Sequence, residues 1–107
     1  MKPDAKAIEK LKAEHGEIYA VEVGGITLIV RPPTRAAFRR FFDQAGKESS
    51  GVSRYAATEN LLLDCVVWPP APEFGELLER KPGLVATVAN YLVELAGAAQ
   101  EAEFRAL

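Results

Sequence analysis

The chain has 107 residues, 49% hydrophobic and 26% charged, which is the size and balance of one folded globular domain. Its 13 basic and 15 acidic side chains leave a net charge of −2, so no strongly basic surface indicates a nucleic-acid partner. No apolar run approaches the roughly 20 residues that cross a bilayer. The first residues lack the apolar core of a signal peptide, and a single cysteine forms no internal disulfide. We therefore expect a cytoplasmic protein without a membrane partner.

The first predicted element is a short helix over residues 4–15. Asp4 is placed to cap its start, and Gly16 is placed to end it. Ile8 and Leu11 form only a thin apolar stripe, and lysines and glutamates fill the other positions. We expect this helix to be loosely docked on the rest of the chain.

A β-hairpin is predicted next. Residues 17–23 and 26–31 alternate apolar and polar side chains around two glycines, and glycine suits a two-residue hairpin loop because it accepts positive φ. We expect helices to cover the apolar face, because an isolated hairpin is marginally stable. That face is predicted to hold three facing pairs: Tyr19–Val30, Val21–Leu28 and Val23–Ile26. The open face is predicted to hold Ile18, Ala20, Glu22, Thr27, Ile29 and Arg31.

Apolar spacing predicts four further helices, over residues 34–45, 53–68, 73–80 and 84–96. The first of them starts at a Thr34 cap and the second at a Ser53 cap. The second helix is apolar around most of its circumference, as a core helix is. Its narrow small or polar strip consists of Ala57, Asn60 and Asp64. The first helix has one apolar face, made of Ala37, Phe38, Phe41, Phe42 and Ala45. The third helix directs three residues inward: Phe74, Leu77 and Leu78.

These elements together predict an α+β fold, in which an N-terminal helix and a β-hairpin pack against a small bundle of about four helices. Residues 1–107 are expected to form a single domain. Within it, the N-terminal helix takes residues 1–16, the hairpin 17–31, the helical part 34–97 and a tail 98–107.

The sequence carries no constellation that is typical of catalysis. It has one histidine, His15, and one cysteine, Cys65, which lies inside an apolar run where we expect a buried, unreactive thiol. A zinc site needs about four converging ligands at short spacings. The paired glycines lie between strands and do not open a helix, so they do not form a phosphate-binding loop. We predict that the protein is not an enzyme and that it holds no cofactor or metal.

Two regions are candidates for a partner-binding surface. Arg35 and Arg39 lie one turn apart in the local basic cluster that also contains Arg31 and Arg40. The cluster fits either a solvated basic face or a contact with an acidic protein partner.

The second region is the C-terminal helix and tail. Tyr91 and Leu95 lie one turn apart, and Phe104 and Leu107 follow the helix-ending Gly97 without a turn pattern. Either these residues contact a partner, or the tail packs back on its own domain.

The order of these elements resembles the tail assembly chaperones of long-tailed bacteriophages. Three segments carry the resemblance: EIYAVEVGGITLIVRPPTRAAFRRFFD (17–43), ENLLLDCVVWPP (59–70) and FGELLERKPGLVATVANYLVELAG (74–97). They span most of the chain, and their motifs are structural and not chemical.

The resemblance implies a non-enzymatic chaperone that binds the tape measure protein and the tail tube protein and promotes tail-tube assembly. It implies a place in the bacterial host cytoplasm and absence from the mature virion, with self-association left open. Two alternatives remain at this stage: a small structural or adaptor protein of the phage head–tail region, and a DNA-binding regulatory module.

Overall fold

The computed structural model describes residues 2–46, 54–97, 102–103 and 105–107. These residues contain five helices and a three-stranded antiparallel sheet with the strand order β1-β2-β3. The predicted α+β class is therefore confirmed, with its N-terminal helix and hairpin. The elements are, in chain order, α1 (Ala5–His15), β1 (Tyr19–Val23), β2 (Ile26–Val30), α2 (Arg35–Gly46), α3 (Arg54–Cys65), β3 (Val66–Trp68), α4 (Ala71–Arg80) and α5 (Leu84–Leu95).

Helix α1 has the predicted ends. The Asp4 carboxylate accepts a hydrogen bond from the backbone N–H of Ala7 at 2.7 Å, and Gly16 leaves the helix with a φ of 77°. No residue of α1 is buried. The helix is therefore held mainly by its own capping and backbone hydrogen bonds, as its thin apolar stripe predicted.

The hairpin has the predicted register. Gly24 and Gly25 form its loop with φ values of 56° and 80°, a conformation that side-chain-bearing residues adopt only with strain. The facing apolar pairs are Tyr19–Val30, Val21–Leu28 and Val23–Ile26.

The burial of the hairpin differs from the prediction at three residues. Tyr19 was expected on the covered face but is 39% exposed, and its hydroxyl donates to the carboxylate of Glu17. Thr27 and Ile29 were expected on the open face but are buried. Their strand β2 is the central one, and Trp68 of β3 lies directly opposite Ile29. Residues directly opposite each other in a sheet point to the same face. The Trp68 side chain, from a strand that was not predicted, therefore covers part of the face that was expected to be open.

That missed strand, β3, replaces the last residues of the helix predicted to reach Trp68. Helix α3 ends at Cys65, and the next three residues pair with β2. The backbone N–H of Arg31 donates to the Cys65 carbonyl at 2.9 Å, and its Nε and Nη2 donate to the Asp64 carbonyl at 3.1 and 2.9 Å. A helix end otherwise leaves such carbonyls unpaired. Arg31 thus satisfies the end of α3 at the point where the chain becomes a strand.

The core lies between the covered face of the sheet and helices α3, α4 and α5. The predicted inward residues of α4 are confirmed as buried. The largest fully buried side chains are Phe74, Leu28, Leu61, Leu62, Leu92, Val30, Val85, Val88 and Cys65.

The predicted narrow strip of α3 is wrong at one residue. Ala57 is fully buried because α3 packs between α2 and α5, where a small side chain lets neighbouring helices approach. Leu63, expected in the core, is 52% exposed instead. Asn60 is exposed as expected, and the predicted Ser53 cap lies outside the described residues.

Candidate protein-binding surface

Helix α2 leaves part of its aromatic face at the surface. The Thr34 hydroxyl accepts a hydrogen bond from the N–H of Ala37 at 3.1 Å, which confirms the predicted cap. Phe42, on the predicted apolar face of this helix, is 68% exposed. Phe38 and Phe41 are half-buried. The ring centroids of Phe38 and Phe42 are 6.5 Å apart, so Phe42 rests beside a partly covered ring and not in the core.

A groove of about 620 Å³ opens beside Phe42. We call it the α2 groove; its lining residues are Pro33, Thr34, Arg35, Phe38, Arg39, Phe42 and Ala96. Ala96 is the C-cap of α5. The groove therefore lies between the outer face of α2 and the C-terminal end of α5. The sequence analysis predicted these two regions as separate candidate partner surfaces.

The four arginines of the basic cluster divide into two pairs. Arg31 binds the Asp64 carbonyl, and Arg40 forms an ion pair with the Asp64 carboxylate. Arg35 and Arg39 line the α2 groove, are exposed, and form no ion pair with any residue that the structure describes. The first pair makes its polar contacts within the fold, and the second pair is available to an outside carboxylate.

The comparisons with known proteins place the chain in a family. A family model described as Domain of unknown function (DUF6848) matches residues 11–105, which is most of the chain. The chain belongs to the DUF6848 family. A comparison with curated proteins finds no match.

A solved structure shares the fold of this DUF6848 chain. It belongs to an uncharacterised protein from Bacillus stearothermophilus, with a TM-score of 0.76 and 23% sequence identity. The alignment covers 92% of this chain and 99% of that one. At this identity the likeness shows the shared fold alone.

The predicted partner residues of this DUF6848 chain do not all come together. Arg35 and Arg39 meet the end of α5 in one groove, as described above. Tyr91 is 47% exposed, but Leu95, one turn later, packs against the core. Leu107 is fully exposed, and Phe104 lies outside the described residues. The structure therefore does not support one continuous patch running from Tyr91 through Leu95.

Sequence reasoning missed the two aromatic residues that line the α2 groove. The sequence places Phe38 and Phe42 only on one apolar face of the helix, because a spacing of four residues is common to every apolar helix stripe. A signal was present in the neighbouring positions, since Arg35 and Arg39 have the same spacing and lie beside the aromatic pair. Arginine and aromatic residues are both enriched at protein interfaces.

A second apolar cleft, of about 410 Å³, lies between α3 and α5 and is closed on one side by Phe41. Tyr55 stands at its edge, 47% exposed, and its hydroxyl donates to the Pro82 carbonyl at 3.4 Å. The other lining residues are Arg54, Thr58, Val85, Ala86, Ala89, Asn90 and Val93. This cleft has no pair of unpartnered arginines comparable to that of the α2 groove.

Cys65 is buried as predicted, with 1% of its surface exposed. Burial raises the pKa of its thiol to about 11, a shift that the nearby Arg31 charge partly opposes. The thiolate is therefore scarce at neutral pH. In the described part of the chain, no three histidine, cysteine or acidic side chains converge to form a metal site. None of the helices described is long and apolar enough to span a membrane.

Proposed function

We propose that the chain is a non-enzymatic phage or prophage tail assembly chaperone, which binds the tape measure protein and promotes tail-tube assembly. The observation that carries this proposal is the exposed aromatic groove of α2. The resemblance of the three sequence segments supplies the identity of the partner. The proposal places the chain in the host cytoplasm and outside the finished virion.

The α2 groove has the properties that such a partner requires. A tape measure protein is long and helical, and helices dock by laying an apolar face into an apolar groove. Phe42 exposes a large ring that gains roughly 1.5–3 kcal/mol when it is fully covered. A single groove of this size gives a small interface, which suits a partner that must be released when the tube is complete.

The direct test is co-expression with the tape measure protein of the same phage or prophage. We expect the tape measure protein to stay in the supernatant and to co-purify with the chain, and to precipitate without it. Phe42→Ser should reduce co-purification about tenfold, the effect of losing roughly 1.4 kcal/mol of binding. Leu63→Ser is the matched control, because Leu63 is similarly exposed but lies on α3.

Two results would contradict the proposal. One is a tape measure protein that remains equally dispersed without the chain. The other is the chain itself, found by mass spectrometry in purified particles at the abundance of a structural component. The second result would favour the head–tail adaptor instead, because an assembly chaperone leaves before the particle is finished.

A further inference from the structure

We infer that the α2 groove is selective for an acidic amphipathic helix, that is, a partner helix whose apolar stripe is flanked by carboxylates. The inference deepens the proposed function and rests on it in one respect, since it concerns the chemistry of the partner at the same groove. Three features of the groove carry it: its two unpaired arginines, its aromatic floor and its position at the start of α2.

The arginines define the charge of the partner. Arg35 and Arg39 are exposed, lie one turn apart and meet no carboxylate in the described parts of the chain. Arg40 on the same helix shows the alternative, because it is paired with Asp64. Two guanidinium groups one helical turn apart match two carboxylates at the same spacing on a helix lying alongside.

The aromatic floor defines the shape of the partner. The rings of Phe38 and Phe42 are 6.5 Å apart, close to the roughly 5.4 Å rise of one helical turn. Apolar residues spaced one turn apart on an incoming helix can therefore contact both rings. Pro33 and Ala96 extend the apolar lining beyond the ends of the ring pair.

The first turn of α2 adds a positive electrostatic potential to that of the two arginines. Thr34 and Arg35 lie at the first turn of α2, where the helix dipole leaves a partial positive charge. Asp43 lines a neighbouring surface depression together with Arg35 and Arg39, but it forms no ion pair with either and does not line the groove. The C-terminal end of α5, whose C-cap Ala96 also lines the groove, carries the opposite partial charge. The two arginines are therefore the main basis of the preference for an acidic helix.

A protein helix fits these features better than a nucleic acid does. Nucleic-acid affinity comes largely from many phosphate contacts, and the groove offers two unpaired arginines on a chain of net charge −2. The phosphate backbone of a duplex would also leave the exposed Phe42 ring without an apolar partner. The bases of a single strand can stack on such a ring, and the test below distinguishes that case.

The test uses two labelled peptides and the full chain in fluorescence anisotropy. Each is a helix of roughly 20 residues with leucine at i, i+3, i+4 and i+7, flanked by glutamate in one peptide and by lysine in the other. We expect the glutamate peptide to bind the wild type about tenfold more tightly than the lysine peptide. Arg35→Glu/Arg39→Glu should reverse this order, and Phe42→Ala should weaken both peptides.

The matched control is Lys6→Glu/Lys10→Glu, which makes the same change in net charge on the exposed surface of α1. It should leave both affinities within about twofold, since neither lysine lines the α2 groove. Circular dichroism of every variant checks that the fold is intact.

Several results would overturn the inference. Equal binding of the two peptides to the wild type would remove the charge selectivity. Tighter binding of a single-stranded DNA oligonucleotide, lost in Arg35→Glu/Arg39→Glu, would make the groove a nucleic-acid site. Self-association that disappears both in this variant and on truncation after Gly97 would make the occupant the tail of a second copy.

The proposed function fails in a different way. If Arg35→Glu/Arg39→Glu still co-purifies with the tape measure protein, the inference is wrong and the chaperone role stands. If the wild type selects the glutamate peptide but does not retain the tape measure protein, the inference stands and the chaperone role is wrong.

Discussion

Helices α2 and α5 both carry an apolar stripe in the sequence. The structure buries the stripe of α5 and leaves much of the stripe of α2 exposed. Both have 12 residues and a stripe of large apolar side chains. In α5 the stripe is buried, with Val88 and Leu92 fully inaccessible. In α2 the buried residue that the structure describes is Ala37, and Phe42 remains largely exposed.

The difference follows from what surrounds each helix. Helix α5 belongs to the core cluster with the sheet, α3 and α4, whereas α2 packs mainly against α3 along one side. An apolar stripe shows that a helix needs a partner surface, but it does not show whether that surface belongs to the same chain. On this comparison, α5 stabilises the fold and α2 offers a surface for binding.

The largest effect expected from this comparison is on the α5 side. Leu92→Ala should lower the free energy of unfolding by about 2–5 kcal/mol, because it removes a fully buried side chain and leaves a cavity. Urea denaturation followed by circular dichroism measures the change. A loss below about 1 kcal/mol would mean that α5 is not held in the core as described.

The two kinds of arginine give the next largest contrast. Arg31→Met should cost about 1–3 kcal/mol, because the Asp64 carbonyl loses its side-chain donors in a partly buried place. Arg39→Met, in the α2 groove, should change stability by no more than about 0.5 kcal/mol. If both variants lose the same free energy of unfolding in parallel urea titrations, Arg31 has no greater structural role than Arg39.

A smaller effect concerns Cys65, at the end of the helix that lies between α2 and α5. Cys65→Ala should lower the free energy of unfolding by about 1 kcal/mol at pH 7, because packing contacts are lost. The difference from wild type should shrink as pH rises from 9 toward 11. The unfolded chain releases the thiol proton near the ordinary pKa of 9.0, while the folded chain holds it to about 11.

Paired urea titrations at pH 7 and pH 10 check this sign for Cys65. Rapid modification of the native thiol by a thiol reagent at pH 7 would show that burial does not protect it. A difference that grows with pH would show that the pKa of the folded thiol is lowered and not raised.

The smallest effect is expected on the α2 side. Phe42→Ala should change the free energy of unfolding by no more than about 0.5 kcal/mol, although it removes a large ring, because most of that ring is already in contact with water. A loss of unfolding free energy comparable to that of Leu92→Ala would show that Phe42 is a core residue. The contrast drawn between α2 and α5 would then be wrong.

The hairpin and α4 were predictable because local rules decide them. Two glycines between alternating strands fix the register through the loop geometry. Helix α4 carries Pro72 in its first turn and three apolar residues on one face, so its position and its inward side both follow from the sequence.

Strand β3 was not predictable by the same means. Val66 and Trp68 continue the apolar run of α3, and a short apolar run fits a buried helix as well as a buried strand. The deciding interaction is non-local, because the end of α3 is satisfied by Arg31 from the hairpin. The exposure of Phe42 was not predictable for a similar reason, because it depends on which elements pack against α2.

The bond between Arg31 and Asp64 also constrains the order in which the chain folds. Its two residues lie 33 positions apart, so β3 joins the sheet only after a long loop has closed. The hairpin is local and can form first, with one edge of β2 unpaired until β3 joins it. During synthesis β2 leaves the ribosome before β3 does, so that edge stays uncovered until the later strand emerges. The interval is the time when the nascent chain is most exposed to wrong strand pairing.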